Sequence, residues 1–272
     1  MIPASFDYQR AASAEEAVSM LREHGEEAKL LAGGHSLLPL MKLRLATPSV
    51  VIDVGRIREL SYLRDGGDQV SIGALTRHRD VETSELLQRE VPILAHVAGL
   101  VGDPQVRHRG TIGGSLAHGD PASDLPAVVL ALGGTLVVQG PGGRRDIPAT
   151  EFFQGFLETA LAPEEMLVEI RVPKARGGWS YQKFNRRAID WAIVGVAAVR
   201  NGTTGVALVN MGPVPLRASA VEQALAGGAS AADAAALAAE GTDPSADLNA
   251  SVEYRQHLAR VLVRRALEEA GA

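Results

Sequence analysis

Two glycine pairs constrain this chain more than any other feature of it. Residues 30–44 read LLAGGHSLLPLMKLR: a run like the end of a buried strand, a break at Gly33-Gly34-His35-Ser36, then apolar residues at a spacing that suits a helix. About 80 residues later, RGTIGGSLAHGDP sets Thr111, Gly113, Gly114 and Ser115 in a second turn of similar chemistry. Residues without Cβ let the backbone approach another group closely. A plain tight turn is the alternative for either pair taken alone.

What could approach is an anion. Backbone N–H groups in a glycine break point outward without interference from Cβ, and a following helix adds partial positive charge at its start. Neither spacing fits a Walker A loop or G-x-G-x-x-G. Two such turns could grip both phosphates of one dinucleotide. Asp124, shortly after the second turn, could accept hydrogen bonds from ribose or ribityl hydroxyls; equally, it is the aspartate that opens a helix over LPAVVLAL.

Composition narrows the chemistry. The 272 residues include no cysteine, which excludes disulfides, thiolate nucleophiles and cysteine-held zinc or iron–sulfur clusters on this chain. Redox work would need an organic cofactor or a partner's metals. A net charge of −5 offers no basic field for nucleic acid. The start, MIPASFDYQR, has no signal-peptide pattern and no window is long and apolar enough to span a bilayer, so the expected location is cytoplasmic.

Along the chain, SAEEAVSMLREHG carries a capping box, with Ser13 bonding the first-turn N–H groups and Glu16 reaching back. Ala17, Met20 and Leu21 share a face, and Gly25 stops the helix. A strand near 28–32, the first glycine break, a helical turn and the strand PSVVIDV follow. Two strands joined at Gly66-Gly67 fill 60–75, and a helical stretch runs from about 77 to 102, punctuated by Pro92. After the second glycine turn come the helix ASDLPAVVLALGG and strands TLVVQ, RRDIP and MLVEIRVP. KARGG reads as a linker. Beyond it WSYQKFNRR, WAIVGVAAVR and TGVALVNMG form a three-stranded antiparallel meander, and three helix-forming segments close the chain, the middle one alanine-rich.

AGGHSLLPLMKLR together with RGTIGGSLAHGDPASDLPA resembles the FAD-binding medium subunit of molybdenum hydroxylases, the group containing aerobic carbon monoxide dehydrogenase and relatives of xanthine dehydrogenase. The resemblance covers nearly the whole chain. It implies an α+β fold: a two-lobed FAD-binding domain of the vanillyl-alcohol oxidase (PCMH) type over residues 1–175, with lobes of about 1–55 and 56–175. A small domain with the three-stranded sheet and a helical bundle would follow over 178–272. It also implies FAD held non-covalently, with Ala32, Gly33, Gly34, His35, Ser36 and Leu37 as the first pyrophosphate loop and Thr111, Ile112, Gly113, Gly114 and Ser115 as the second. Asp124 would lie near the flavin's polar chain. The family's second loop often ends in asparagine where Ser115 stands, so one contact would differ. Lys183, Trp191 and Ile193 resemble positions that approach the isoalloxazine ring; the alternative for Trp191 and Ile193 is the core of the meander.

The same resemblance implies partners: a large subunit with the molybdenum cofactor and a small one with [2Fe-2S] clusters, assembled as a dimer of heterotrimers. This chain would be the electron exit, passing electrons to quinone or another acceptor, with contact at a membrane periphery, and none of its residues would be catalytic. Carbon monoxide is the first substrate expected of such a complex, ahead of N-heterocycles and aldehydes. Among the seven histidines, His35, His78, His108 and His118 lie near the motifs without the spacing of a metal site. In related flavin oxidases a histidine in a GGHS loop carries flavin covalently; no covalent bond is expected here. Two other readings stand against this one. A self-contained flavin oxidase would need a larger substrate domain than the roughly 95 residues beyond the linker, and in a binding module both turns would be structural. Arg107 and Arg109 could pair with phosphate or with an acidic partner. Valine at Gly33 or Gly114 is expected to abolish FAD binding in a chain that still folds.

Overall fold

The computed structural model describes residues 2–271. Its first sheet is small and parallel: strand Val50–Asp53 lies between Asp7–Arg10 and Ala28–Leu31. Parallel neighbours need a crossover, and the helix Ala14–His24 supplies it. Its cap forms, with the Ser13 hydroxyl accepting from Glu16 N at 3.1 Å, while the Glu16 carboxylate reaches back one residue past the cap and accepts from Ala12 N at 2.6 Å. Ala17, Val18 and Leu21 turn inward against Ile52 and against Val137, Met166 and Val168 of the next sheet.

That second sheet is antiparallel throughout, in the order Leu63–Asp65, Gln69–Gly73, Met166–Pro173, Thr135–Gly140, Gly143–Pro148. One helix, Asp124–Ala131, is buried along its whole length. The expected helical stretch over 77–102 is three short helices, His78–Thr83, Glu85–Glu90 and Pro92–Ala98. Ser84 breaks it by capping the second one, its hydroxyl accepting from Leu87 N, and Pro92 opens the third. The stretch between Val101 and Thr111 holds a further short helix, Pro104–Arg109, capped by Asp103.

Past the linker the sheet has four strands, not three: Trp179–Phe184, Val194–Asn201, Thr203–Val209 and the two-residue Leu216–Arg217. So short a strand beside Pro213 and Pro215 leaves no alternation to read. Helices Ser219–Ala226, Ala231–Ala236 and Val252–Ala270 build a core on this sheet with Val196, Ala198 and Leu208. The other sheet face, through Ala197, Val199 and Ala207, joins the core around helix Asp124–Ala131. Contact there is tight: a Cβ on Gly205 would lie 2.1 Å from the Ala131 carbonyl oxygen.

Candidate functional site

Strand Ala28–Leu31 delivers the chain to Ala32, Gly33 and Gly34, and helix Leu37–Leu43 carries it away. Gly34 sits at φ +79°, where a side chain is strained. Among the described residues, the backbone N–H groups of Gly34, His35 and Ser36 find no acceptor in the chain. This turn therefore presents open donors.

The second turn differs. Thr111 caps helix Ile112–His118, its hydroxyl accepting from Gly114 N at 3.1 Å. Ile112 N donates to Thr76 O, Gly113 N to Ala74 O, and Ser115 N to Thr111 O, at 3.0, 2.9 and 3.0 Å. Its backbone donors are spent within the chain, so what it offers a ligand is the Thr111 and Ser115 hydroxyls and the space beside Gly114. Both helices that follow the turns have only seven residues. Open N–H groups, more than a long helix dipole, would hold an anion here.

The turns meet. A Cβ on Gly33 would lie 2.3 Å from the Arg109 carbonyl oxygen and 2.8 Å from Gly110 Cα, so this glycine is required by backbone packing between the two segments. Gly113 is required in the same way by Ala74. A Cβ on Gly114 would meet only the Thr111 hydroxyl, at 2.7 Å. The expectation that valine at Gly33 spares the fold is thus corrected, because the clash is with rigid main chain, whereas at Gly114 only the end of one side chain stands in the way.

Around these turns lies a cavity of about 740 Å³. Of the fifteen residues singled out in the sequence, thirteen line it: Ala32 to Leu37, Thr111, Gly113, Gly114, Ser115, Asp124, Lys183 and Trp191. Ile112 and Ile193 do not. Ile112 is fully buried in the main core. Ile193 packs into the core of the C-terminal helices, its N–H donating to Phe184 O at 2.8 Å and its carbonyl held by Arg255 Nη1. Trp191, two residues before it, is 58% exposed at the cavity's edge and fills no core. The segment 185–193 carries no strand, so the period-2 alternation that would pair Trp191 with Ile193 on one face never begins.

Asp124 is the first residue of its helix and also faces the cavity, so both readings of it hold. Its carboxylate accepts from the Tyr181 hydroxyl at 2.5 Å and from Lys183 Nζ at 2.9 Å. Burial pushes the Asp124 carboxyl up, against the pull of Lys183 and of the Tyr181 hydrogen bond. Burial, reinforced by the Asp124 charge, also holds Tyr181 well above the usual phenol range, so the hydroxyl stays a donor. This triad ties the first part of the chain to the sheet beyond the linker at the cavity wall. Arg107 is spent on Glu82 at 3.0 Å, and neither it nor Arg109 lines the cavity. Other lining residues, among them Lys29, His78, Leu157 and Asp190, carried no motif in the sequence; folding alone gathers them.

Residues 4–175 match the family model described as the FAD binding domain in molybdopterin dehydrogenase, and residues 179–270 match the CO dehydrogenase flavoprotein C-terminal domain. The chain belongs to the FAD-binding medium chains of the carbon monoxide dehydrogenase and molybdenum hydroxylase family. It is 45% identical to the carbon monoxide dehydrogenase medium chain of Hydrogenophaga pseudoflava, over 100% of this chain and 99% of that one. A 6-hydroxypseudooxynicotine dehydrogenase complex subunit alpha of Paenarthrobacter nicotinovorans is 36% identical, with 99% and 96% covered. Among solved structures, that of carbon monoxide dehydrogenase from Hydrogenophaga pseudoflava lacking the Mo-pyranopterin moiety superposes with a TM-score of 0.96 at 46% identity, covering 100% of this chain and 99% of that one. As a medium chain it is one subunit of a multi-subunit oxidoreductase. The two-lobed FAD-binding fold with an antiparallel-sheet domain after it is the fold expected from the sequence. No helix among the described residues is long and apolar enough to cross a membrane.

The cavity suits the family's cofactor. Its volume lies within the range of sites that bury a cofactor, one turn supplies open N–H groups for phosphate, and Asp124 supplies a carboxylate for hydroxyls. A buried imidazole nitrogen, His78 Nδ1, lacks a partner in the lining.

Proposed function

We propose that FAD lies non-covalently in this cavity, with its pyrophosphate on the open N–H groups of Gly34 to Ser36 and on the hydroxyls of Thr111 and Ser115. Asp124 then accepts from ribityl hydroxyls while Tyr181 and Lys183 hold its carboxylate in place, and Trp191 and Lys183 flank the ring. The observation that carries this reading is the convergence of thirteen residues, chosen from separate segments, on one cavity.

When bound, FAD supplies exchange between one-electron and two-electron carriers. The residues of this chain bind and orient it and keep water from its polar chain. The complex would pair this chain with a large subunit holding the molybdenum cofactor and a small subunit holding [2Fe-2S] clusters, in a dimer of heterotrimers. Electrons would leave through this chain to an external acceptor such as a quinone. Carbon monoxide is the substrate we favour, supported by the 45% identity to a carbon monoxide dehydrogenase medium chain.

A visible spectrum tests the cofactor claim: incubate the purified chain with FAD, desalt, record, then precipitate with acid. Yellow colour that moves to the supernatant is the expected outcome. Colour retained in the pellet would mean a covalent flavin and would favour the self-contained oxidase.

A further inference from the structure

The connection between strands Trp179–Phe184 and Val194–Asn201 brings Ile189, Asp190 and Trp191 to the cavity. Among the described residues, the hydrogen bonds of 185–191 stay inside the segment: Asn185 Nδ2 and Asp190 N both donate to Arg187 O. On the side that carries Trp191, hydrogen bonds to the rest of the chain begin at Ala192 and Ile193. Ile193 N closes the connection on Phe184 O, and Ile193 O is taken by Arg255, a buried residue that also donates to Asp247 at 2.7 Å. That grip belongs to the core, where the Ile193 side chain packs. Ala192, the residue next to Trp191, is held by a different group, for Asn210 Nδ2 donates to Ala192 O at 2.8 Å. Ala192 is buried, so its carbonyl has little water to turn to if that amide is removed.

Asn210 is aimed by its backbone. It follows strand Thr203–Val209 at φ +61°, in the left-handed region that asparagine tolerates better than most residues with a side chain. Its N–H donates to Pro121 O at 2.8 Å. Pro121 lies between helix Ile112–His118 and Asp124, in the turn where Ser123 N donates to Asp120 O at 3.0 Å, and Ser123 and Asp124 both line the cavity. Asn210 itself does not. It joins two walls from behind, its main chain on the Asp124 side and its side chain on the Trp191 side.

We propose that Asn210 is a positioning residue for the flavin site, its amide setting Trp191 against the ring by fixing Ala192 O relative to the segment that carries Asp124. This rests on the reading that FAD occupies the cavity with Trp191 at its ring. One peptide bond separates the held residue from Trp191, so loss of the amide frees the rim and leaves the core anchored through Arg255.

The test is a double-mutant cycle on flavin release, read as the rise of flavin fluorescence when the FAD-loaded complex containing this chain is diluted. Asn210→Gly accepts φ +61° without strain and removes only the amide. It should melt close to wild type and release FAD about fivefold faster, the worth of one hydrogen bond. In a Trp191→Ala background the same substitution should change the rate by less than about twofold. Asn210→Asp keeps the shape but, ionised at neutral pH, offers Ala192 no donor; it should repeat the pattern, and it decides if the glycine variant fails to fold. A second readout needs no flavin: in the Trp179→Phe chain, where Trp191 is the remaining tryptophan, Asn210→Gly should lower the fluorescence anisotropy of that ring. An unchanged release rate, an effect of full size in the absence of the Trp191 ring, or an unchanged anisotropy would each overturn the proposal while leaving FAD in the cavity. A wild-type complex without flavin would overturn the cavity reading itself, and this assignment with it.

Discussion

The two glycine turns look alike in sequence and differ in kind. AGGHS keeps its N–H groups open and spends its glycines on close backbone approach and on one positive φ. TIGGS spends its N–H groups on Thr76, Ala74 and Thr111 and keeps only hydroxyls and open space for a ligand. A repeated motif is therefore not a repeated site: one turn is a donor surface, and the other is a helix start whose first duty is to hold helix Ile112–His118 against Ala74 and Thr76, just past strand Gln69–Gly73.

The largest effect should separate glycines within each pair. Gly33→Val and Gly113→Val force a Cβ into main-chain atoms and are expected to cost about 3–5 kcal/mol, enough to leave little folded protein. Gly114→Ala should unfold in urea within about 1 kcal/mol of wild type yet bind FAD more weakly, since its Cβ displaces the Thr111 hydroxyl at the cavity wall. Equal loss of stability at Gly113 and Gly114 would erase the distinction.

Acid probes the junction between the turns. The folded value of His78, about 4, lies below its unfolded value of 6.5. Its contribution is therefore complete above pH 6.5 and is lost as pH falls from there toward 4. At pH 5 this one group should cost about 2 kcal/mol relative to pH 7. Urea unfolding of wild type and His78→Gln at the two pH values isolates it; equal losses in both would show that the ring is not held neutral.

The smallest effect should be Thr111→Val. Loss of the cap on Gly114 N is expected to lower stability by about 1 kcal/mol, while the open donors of the first turn retain most of the FAD affinity. A larger loss of affinity than of stability would move Thr111 from helix cap to principal ligand.

Much of this was legible because it is local. The Ser13–Glu16 capping box, the strand pair around Gly66-Gly67 and the strands 135–148 and 166–173 follow from spacing and turn chemistry, and they form. What the sequence hid depends on distant partners. No local pattern says that Gly33 must be bare because Arg109 O lies over it, nor that Trp191 stays at the rim while Ile193, two residues on, is pinned by Arg255. His78 lies near the motifs without the spacing of a ligand set, and only folding shows its ring packed on Gly110 with Nδ1 buried and unpartnered. The stretch over 77–102 shows the opposite case, since its apolar spacing persists through Ser84 and Pro92, the residues that divide it into separate helices.

The contact of Gly205 with Ala131 has a mechanical corollary. Helix Asp124–Ala131 is at once the wall of the cavity, through Asp124, and the bed on which the C-terminal sheet rests. A seam packed this closely, glycine against carbonyl, resists opening between the helix and the sheet. At the cavity's rim stand Leu157 of a hairpin tip and, in the strandless segment, Ile189 and Trp191, all three more than a third exposed. A rim of apolar side chains on two irregular segments can yield where the seam cannot, so substitutions there should alter the rate of flavin exchange more than the fold.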